Sequence, residues 1–393
     1  MKRVPLLQRL LQAVILLSLL TACSLPQVSA EERMFLDLSL DVLGEYSLSS
    51  NPTVAEQPMG HLSGITYSLP GYSHFNSPGT YFYGVSEDED PIEGVSVYQL
   101  KLDLETLTSD SRELPPFTLE TVSLLKDQSA QVLNPQNLQV ESLAFSPRES
   151  VFIAAEQSID DQSVPLIGEF DLNTGQLKNT VPLPPTYRPQ TDENKLTQGI
   201  QPNLGFRAMT IAPDGFSPGG LDPFRLFAIA AAPLFQDLDS DATQLRLLHY
   251  VIADRASFLV SENLYSLDSN PKTGSPSYLS AIVALPQSGH FLSLERSHTA
   301  SGYHSKLYQV FTGNATDTSR ISSLRKPISI VQPLQKKLLL DLDELNLPLQ
   351  RLDSMTLGPK LPDGNQSLIL IGNDPASPAS ATQFLLLSLK QKA

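Results

Sequence analysis

The chain has 393 residues, 41% of them apolar, and a formal charge of −15, enough length for one large β domain or two ordinary ones around a buried core. The negative charge excludes nucleic acid and an anionic membrane surface as partners of the folded body, because either would meet a repulsive field; cations suit such a surface better. The single cysteine excludes an internal disulfide.

The chain begins MKRVPLLQRLLQAVILLSLLTACSLPQ, with Lys2, Arg3 and Arg9 ahead of an uncharged apolar run that ends in small residues. That order is an export signal, and the run is short for a membrane span. Leu20-Thr21-Ala22-Cys23 resembles a bacterial lipobox, in which the signal is cut before the cysteine and the thiol is acylated. The expectation is a signal peptide at 1–22, a tether at 23–32 whose acylated Cys23 holds the protein to a membrane of the cell envelope, and a folded domain at 33–393. The alternatives are cleavage after Ala30 and an uncleaved anchor; Ser24 leaves inner versus outer membrane open.

From Met34 onward, brief runs of Leu, Ile, Val, Phe and Tyr alternate with Pro, Gly, Asn, Asp and Ser clusters, the pattern of strands and turns. The 31 prolines suit loops better than helices, and short helices are expected only near Thr118 to Lys126 and Leu339 to Leu345. The runs repeat. LSGITYSLPG, TYFYGVSED, SVYQLKLDLET and SRELPPFTL form a first unit, and VESLAFSPRE, SVFIAAEQS, LIGEFDLNTGQ and LKNTVPLP a second. FRAMTIAPDG, RLFAIAAAPL, LRLLHYVIAD and SENLYSLD form a third, and YLSAIVALPQSG, HFLSLERS, SKLYQVFTG and LQKKLLLDLD a fourth. The fifth has only LDSMTLGPKLPDG, SLILIGND and TQFLLLSLK.

Four meandering strands make a β-propeller blade, so the expected fold is all-β, a propeller of about five blades. The strand at Met34 to Leu48 would complete the fifth blade and close the ring, removing exposed edges. Two alternatives stand: a sixth blade within Leu107 to Gln139 or Arg320 to Leu345, and a pair of β-sandwiches. Pro182 to Asn203 reads as a long structureless loop inserted on one face.

Aligning the units puts Ser63, Glu141, Arg207, Ser280 and Asp353 at one repeated position near the start of each first strand. Ser86-Glu87, Glu156-Gln157, Ala231-Ala232, Glu295-Arg296 and Asn373-Asp374 share a second position at the end of each second strand. Rotation about one axis gathers such positions at one end of a channel, where acids from four blades are expected to converge. Crowded carboxylates repel, which raises some pKa values or recruits a cation, and an oxygen-only ligand set suits Ca²⁺ or Mg²⁺ rather than zinc. The structural alternative is that Glu141 and Glu87 bond to neighbouring blades, pairing with Arg207 or Arg296 to pin the ring.

The phrases GITYS, YFYGVSEDED, VESLAFSP, FIAAEQS, IGEFDLNTGQ, PNLGFRAMTIAPDG, LFAIAAAPLFQD and MTLGPKLPDGNQSLILIGND together resemble the phytase-like domain of the family described as esterase-like activity of phytase. The resemblance runs from about Met34 to Lys390 and implies a propeller, export from a bacterial cell, and hydrolysis of phosphoesters or esters. This chain departs from the family pattern in the third unit. Gly205-Phe206-Arg207-Ala208 stands where members commonly carry Gly-Phe-Glu-Gly, and Ala230-Ala231-Ala232-Pro233 where they carry Asn-Glu-Ala-Pro. Asp353-Ser354 replaces Glu-Gly and keeps the charge.

Two functions follow. One is a metal-dependent phosphoester or ester hydrolase, with Glu141, Glu156 and Glu295 catalytic, Arg207, Arg296 and His61 binding substrate, and Glu87, Asp353 and Asp374 holding Ca²⁺ or another divalent cation. The other is a propeller that has lost catalysis and serves as a binding or scaffold module with an unknown protein partner. Arg207 bears on both, because a guanidinium in place of a carboxylate weakens a cation site, yet it can neutralise Glu141 or capture phosphate or carboxylate instead.

Other candidates are weaker. SHTASGYHSKL puts His298 and His304 near Ser301 and Ser305, but in a hairpin loop where such residues are common, and no Gly-x-Ser-x-Gly phrase occurs. DLDSDATQL carries Asp237, Asp239 and Asp241 at calcium-loop spacing without the glycine and distal acid an EF-hand needs, so a solvated hairpin turn is its default. Glu87 to Asp90 reads likewise as a charged loop first.

Overall fold

Each apolar run of the repeats becomes a strand, and each set of four strands becomes one antiparallel sheet. The computed structural model describes residues 34–48, 53–54, 57–58, 61–68, 80–86, 94–102, 117–159, 162–193, 195–215, 222–239, 243–268, 277–325, 330–373 and 381–392. The unit that begins at Asp37 carries the blades.

Blade 1 pairs Leu62–Tyr67, Thr80–Ser86, Ser96–Leu102 and Phe117–Leu124; blade 2 pairs Leu138–Ser146, Ser150–Ile159, Gln162–Asp171 and Leu177–Thr180. Blade 3 pairs Ala208–Ile211, Phe224–Ile229, Gln244–Ile252 and Ser257–Ser266, and blade 4 pairs Ser277–Ala284, His290–Thr299, Gly302–Phe311 and Gln335–Asp341. Blade 5 pairs Arg351–Lys360, Gln366–Asn373 and Thr382–Gln391, with Leu38–Leu48 as its outer strand. That strand runs antiparallel to the last one, from Leu38 opposite Gln391 to Leu48 opposite Thr382, so the two ends of the chain close the ring. The first strands of the blades neighbour one another in an unbroken cycle, blade 5 against blade 1 included. The described strands therefore form a five-bladed propeller, and neither a sixth blade nor a sandwich pair is formed by them.

Blades pack face to face, so their middle strands are buried on both sides and read as continuous apolar runs. Phe384, Leu385, Leu386 and Leu387 in blade 5 are all fully buried, each worth about 1.5–3 kcal/mol of transfer free energy. Separate apolar cores fill the seams between blades 5 and 1, 1 and 2, 2 and 3, and 3 and 4.

The inner strands leave one edge unpaired toward the next blade, and threonine hydroxyls satisfy part of it. Phe145 N donates to Thr66 Oγ1 at 3.0 Å, Tyr67 N to Thr356 Oγ1 at 3.2 Å and Ala284 N to Thr210 Oγ1 at 3.1 Å. All of these bonds join the same two aligned positions, from each blade to the one before it. At the two other steps Ala144 and Val283 occupy the threonine position and supply no hydroxyl. One residue nearer the start of each strand, Ile65, Leu143, Met209, Ile282 and Met355 are buried against a cavity of about 150 Å³ that the five inner strands line.

Three local expectations are corrected. Thr118 to Lys126 is not a helix: Phe117–Leu124 is the outer strand of blade 1, where the alternation of Thr, Glu and Val suits a half-exposed sheet edge. Near Leu339 to Leu345 the strand ends at Asp341 and only Leu342–Leu345 coils, as a 3₁₀ turn. The Pro182 to Asn203 insert is not structureless, since it holds a 3₁₀ turn at Pro185–Tyr187 and a small hairpin of Gln190–Asp192 with Lys195–Gln198. Its Tyr187 is wholly buried and donates to Glu262 Oε2 at 3.0 Å, which ties the insert to blade 3.

Candidate functional site

The start of each inner strand lies at the same end of the ring, and there some of the aligned residues pair across neighbouring blades. Glu141 of blade 2 is buried, and its Oε2 lies 2.9 Å from Arg207 Nε of blade 3. Arg207 Nη2 also reaches the carbonyl of Asn203 at 3.5 Å, while Asn203 N donates to Glu156 Oε2 at 3.1 Å. The second hydrogen bond to Glu156 Oε2 comes from Ser163 Oγ. Glu156 Oε1 is buried with no hydrogen-bond partner. It is accommodated because residue 205 is glycine: a Cβ there would stand 2.7 Å from Oε1 and 3.1 Å from Cγ of Glu156. Glu141, Arg207 and Glu156 are thus one connected cluster spanning blades 2 and 3.

A second cluster joins blades 4 and 5. Arg296 Nη1 donates to Asp353 Oδ1 at 2.8 Å, and Arg351 Nε donates to Asp353 Oδ2 at 2.7 Å. Arg351 was not singled out from sequence; Asp353 is the extra residue of a β-bulge between Leu352 and Ser354, so alternation along the strand does not foretell the contact. In both clusters the acid lies beneath the base. Side-chain exposure is 0% for Glu141 and 3% for Asp353, against 11% for Arg207, 11% for Arg296 and 18% for Arg351. Among the described residues of these two clusters, it is therefore the guanidinium groups rather than the carboxylates that reach solvent.

Glu295 does not join either cluster. Alternation along the strand sends it to the opposite face from Arg296, toward blade 3, where its Oε1 accepts from Tyr265 OH at 2.6 Å and from Lys336 Nζ. Its Oε2 accepts from Asp268 N at 2.9 Å. Lys336 also pairs with Asp268 Oδ1 at 2.8 Å and lies over the ring of Tyr308, so Glu295 belongs to a seam between blades 3 and 4. Burial alone would raise the Asp268 carboxyl, and the bonds from Lys336 and Tyr308 bring it below the ordinary value. His61 is half-buried immediately before the inner strand of blade 1, at the mouth end. Cys23, Glu87, Asp374 and Asp241 lie outside the described residues.

Asp237 is neither a calcium-loop acid nor a solvated turn. It is buried, its two oxygens receive Arg246 Nε at 2.6 Å and Arg246 Nη2 at 2.9 Å, and Oδ1 also accepts Leu324 N at 2.6 Å. Arg246 Nη1 donates to Glu262 Oε1 at 2.6 Å. Burial by itself would lower the pKa of this guanidinium, and the two acids reverse the balance and raise it. Toward the other end of the inner strands, a cavity of about 380 Å³ is lined in part by Phe227, His249 and His290. Burial, with Arg225 nearby, lowers His249 to about 4. Sequence reading found neither feature, because their partners lie on separate strands with no shared motif.

The described residues do not fit a divalent cation. Glu141 and Asp353 are each matched by guanidinium, Glu295 is taken up by Lys336 and Tyr265, and no group of three His, Cys, Asp or Glu among the described residues could hold an ion.

Several solved structures align with the chain at low identity. The catalytic domain of the Coprinopsis cinerea GH62 alpha-L-arabinofuranosidase aligns at 11% identity over 90% of this chain and 97% of that one, with a TM-score of 0.40. The Bombyx mori GH32 beta-fructofuranosidase aligns at 12% over 87% of this chain and 62% of that one, TM-score 0.43. A hypothetical protein from Leishmania major aligns at 11% over 87% and 89%, TM-score 0.38. Likeness at this level says nothing of activity. No curated protein matches the chain. The family description Phytase-like, esterase-like activity of phytase, matches residues 57–374, well over half of the chain, and the protein belongs to that family.

Proposed function

We propose that this phytase-like propeller is an envelope lipoprotein, exported and acylated at Cys23, that binds an anionic ester at the channel mouth and hydrolyses it. The observation that carries the reading is the layering of charge, guanidinium groups of Arg207, Arg296 and Arg351 above the buried carboxylates of Glu141 and Asp353. Planar guanidinium forks suit a phosphate or carboxylate, and the carboxylates beneath hold the forks in place. Glu156 is the general base of the reading, because Oε1 has no hydrogen-bond partner while Oε2 is held by Asn203 and Ser163. It would take a proton from the water that attacks the ester. His61 would add a contact to substrate from blade 1. Because the described acids do not fit a cation, no step is routed through one.

The test uses the full chain in detergent, with inorganic phosphate as the binding probe and p-nitrophenyl phosphate and p-nitrophenyl acetate as substrates. Phosphate should raise the melting temperature saturably, by an amount that grows with concentration over Kd. Arg207→Ala should remove that response, and Glu156→Gln should remove phosphomonoester turnover while keeping it. Calcium titration in the same samples checks the cation: strong stabilisation by calcium would mean that the outlying acids Glu87 and Asp374 complete a site. A binding module without catalysis is the second reading, favoured by Arg207 and Ala231 standing at the two aligned positions of blade 3; stabilisation by phosphate without turnover would establish it. Intact mass of the mature protein tests the anchor, and an unacylated N-terminus at Glu31 would remove it.

A further inference from the structure

The hairpin between the second and third strands of blade 4 carries chemistry that the channel mouth does not use. His304 Nδ1 lies 2.6 Å from Asp343 Oδ2, and His304 Nε2 lies 3.1 Å from Ser301 Oγ. The three residues come from the hairpin tip, the following strand and the 3₁₀ turn Leu342–Leu345. A carboxylate accepts only, so Nδ1 carries the proton shared with Asp343, and Nε2 is left as the acceptor facing the hydroxyl. That is the tautomer and the order of groups in a serine hydrolase triad, which is recognised by geometry rather than by position in the chain.

Thr299 completes the arrangement. Its Oγ1 lies 2.7 Å from Ser301 Oγ and 2.8 Å from His304 Nε2, and it accepts Ser301 N at 3.2 Å. Two hydroxyls therefore share one imidazole. Ser301 is the exposed one and a primary alcohol, whereas Thr299 is half-buried and secondary. Gly302 next to Ser301 has φ +119°, a conformation that other residues rarely adopt, and a Cβ there would meet nothing within 4 Å. The tip is held in a turn that leaves Ser301 open to solvent.

The geometry points to Ser301, His304 and Asp343 as a second, metal-independent site that cleaves short-chain carboxylic esters through an acyl-serine. Ser301 Oγ bonds to the acyl carbon as its proton passes to His304 Nε2, and the ester C–O bond breaks as that proton goes to the leaving alcohol. Water then attacks the acyl-serine, gives its proton to Nε2, and the acid leaves with Ser301 reprotonated. Asp343 is a positioning residue that fixes the imidazole. The site is separate from the mouth, and its failure leaves the reading of the mouth untouched.

The test is labelling of the full chain in detergent with a fluorophosphonate, followed by intact mass and peptide mapping, beside p-nitrophenyl acetate hydrolysis with chelator present. The expected result is one adduct, on Ser301. His304→Gln should slow labelling by about a hundredfold or more with the melting temperature unchanged. Asp343→Asn should slow it as well, and Asp343→Glu should restore part of the rate. Glu156→Gln and Arg207→Ala should leave the adduct in place. No adduct on the wild-type chain overturns the proposal, as does an adduct mapped to Thr299 or elsewhere, or labelling of His304→Gln at the wild-type rate. Mapping on the wild-type chain decides the matter even where a variant fails to fold.

Discussion

Arg207→Ala is the change with the most definite consequence. The guanidinium lies 2.9 Å from a carboxylate whose side chain is wholly buried, so its removal leaves Glu141 charged in the seam between blades 2 and 3 without that partner. Breaking a buried pair from one side costs about 3–5 kcal/mol, whereas an exposed pair is worth about 0–1 kcal/mol. For a folded unit of this size that is a fall of about 4–7 °C in melting temperature, from the usual unfolding entropy per residue. Thermal melting by circular dichroism at neutral pH measures it. The double change Glu141→Gln with Arg207→Met should recover most of the loss, because no buried charge remains. A loss below about 1 kcal/mol, or a double variant as unstable as the sum of its parts, would refute the buried pair as the element that holds this side of the mouth.

Other outcomes follow from single contacts. Thr66→Val removes the hydroxyl that accepts Phe145 N and should cost about 1–3 kcal/mol in chemical denaturation, more than the same change at an exposed threonine. Gly205→Ala puts a methyl 2.7 Å from Glu156 Oε1 and should displace that carboxylate; phosphomonoester turnover should fall at least tenfold while phosphate still stabilises the fold. His249 has a folded pKa of about 4 against an unfolded value near 6.5, so the unfolded chain binds its proton first as pH falls. Its contribution is whole above about pH 6.5 and is lost as pH falls through about 4; His249→Phe should remove about 1–2 kcal/mol of that slope, less than the full shift because the ring is partly exposed to screening solvent. Denaturation midpoints at pH 7 and pH 4.5 give the comparison.

The function of the two aligned positions depended on their neighbours. Glu295 and Arg296 are adjacent in sequence, and alternation sends them to opposite faces; only packing decides that Arg296 looks to Asp353 in blade 5 while Glu295 looks to Lys336 and Tyr265. Ala231, where the family pattern carries an acid, still links the blades through its backbone, donating to Gly205 O at 2.9 Å and accepting Leu279 N at 3.0 Å. The ring therefore keeps its seam there without the carboxylate.

What the sequence by itself determined is the architecture: four-strand units in fivefold repeat, an incomplete last unit, and a leading strand able to complete it. These are local signals, because period-two alternation and turn residues act over a few positions and repetition makes each unit legible from the others. The aligned Glu141, Arg207 and Asp353 could also be placed near one another, since repeats round an axis bring like positions together. The charge state of the mouth was decided only by the tertiary structure. Which guanidinium each acid takes is set by packing: Glu141 meets Arg207, Asp353 meets Arg296 beside Arg351, and His304 meets Asp343 with no repeat relation between them. Coulomb and hydrogen-bond energies depend on distance in space, and packing of the blades sets that distance.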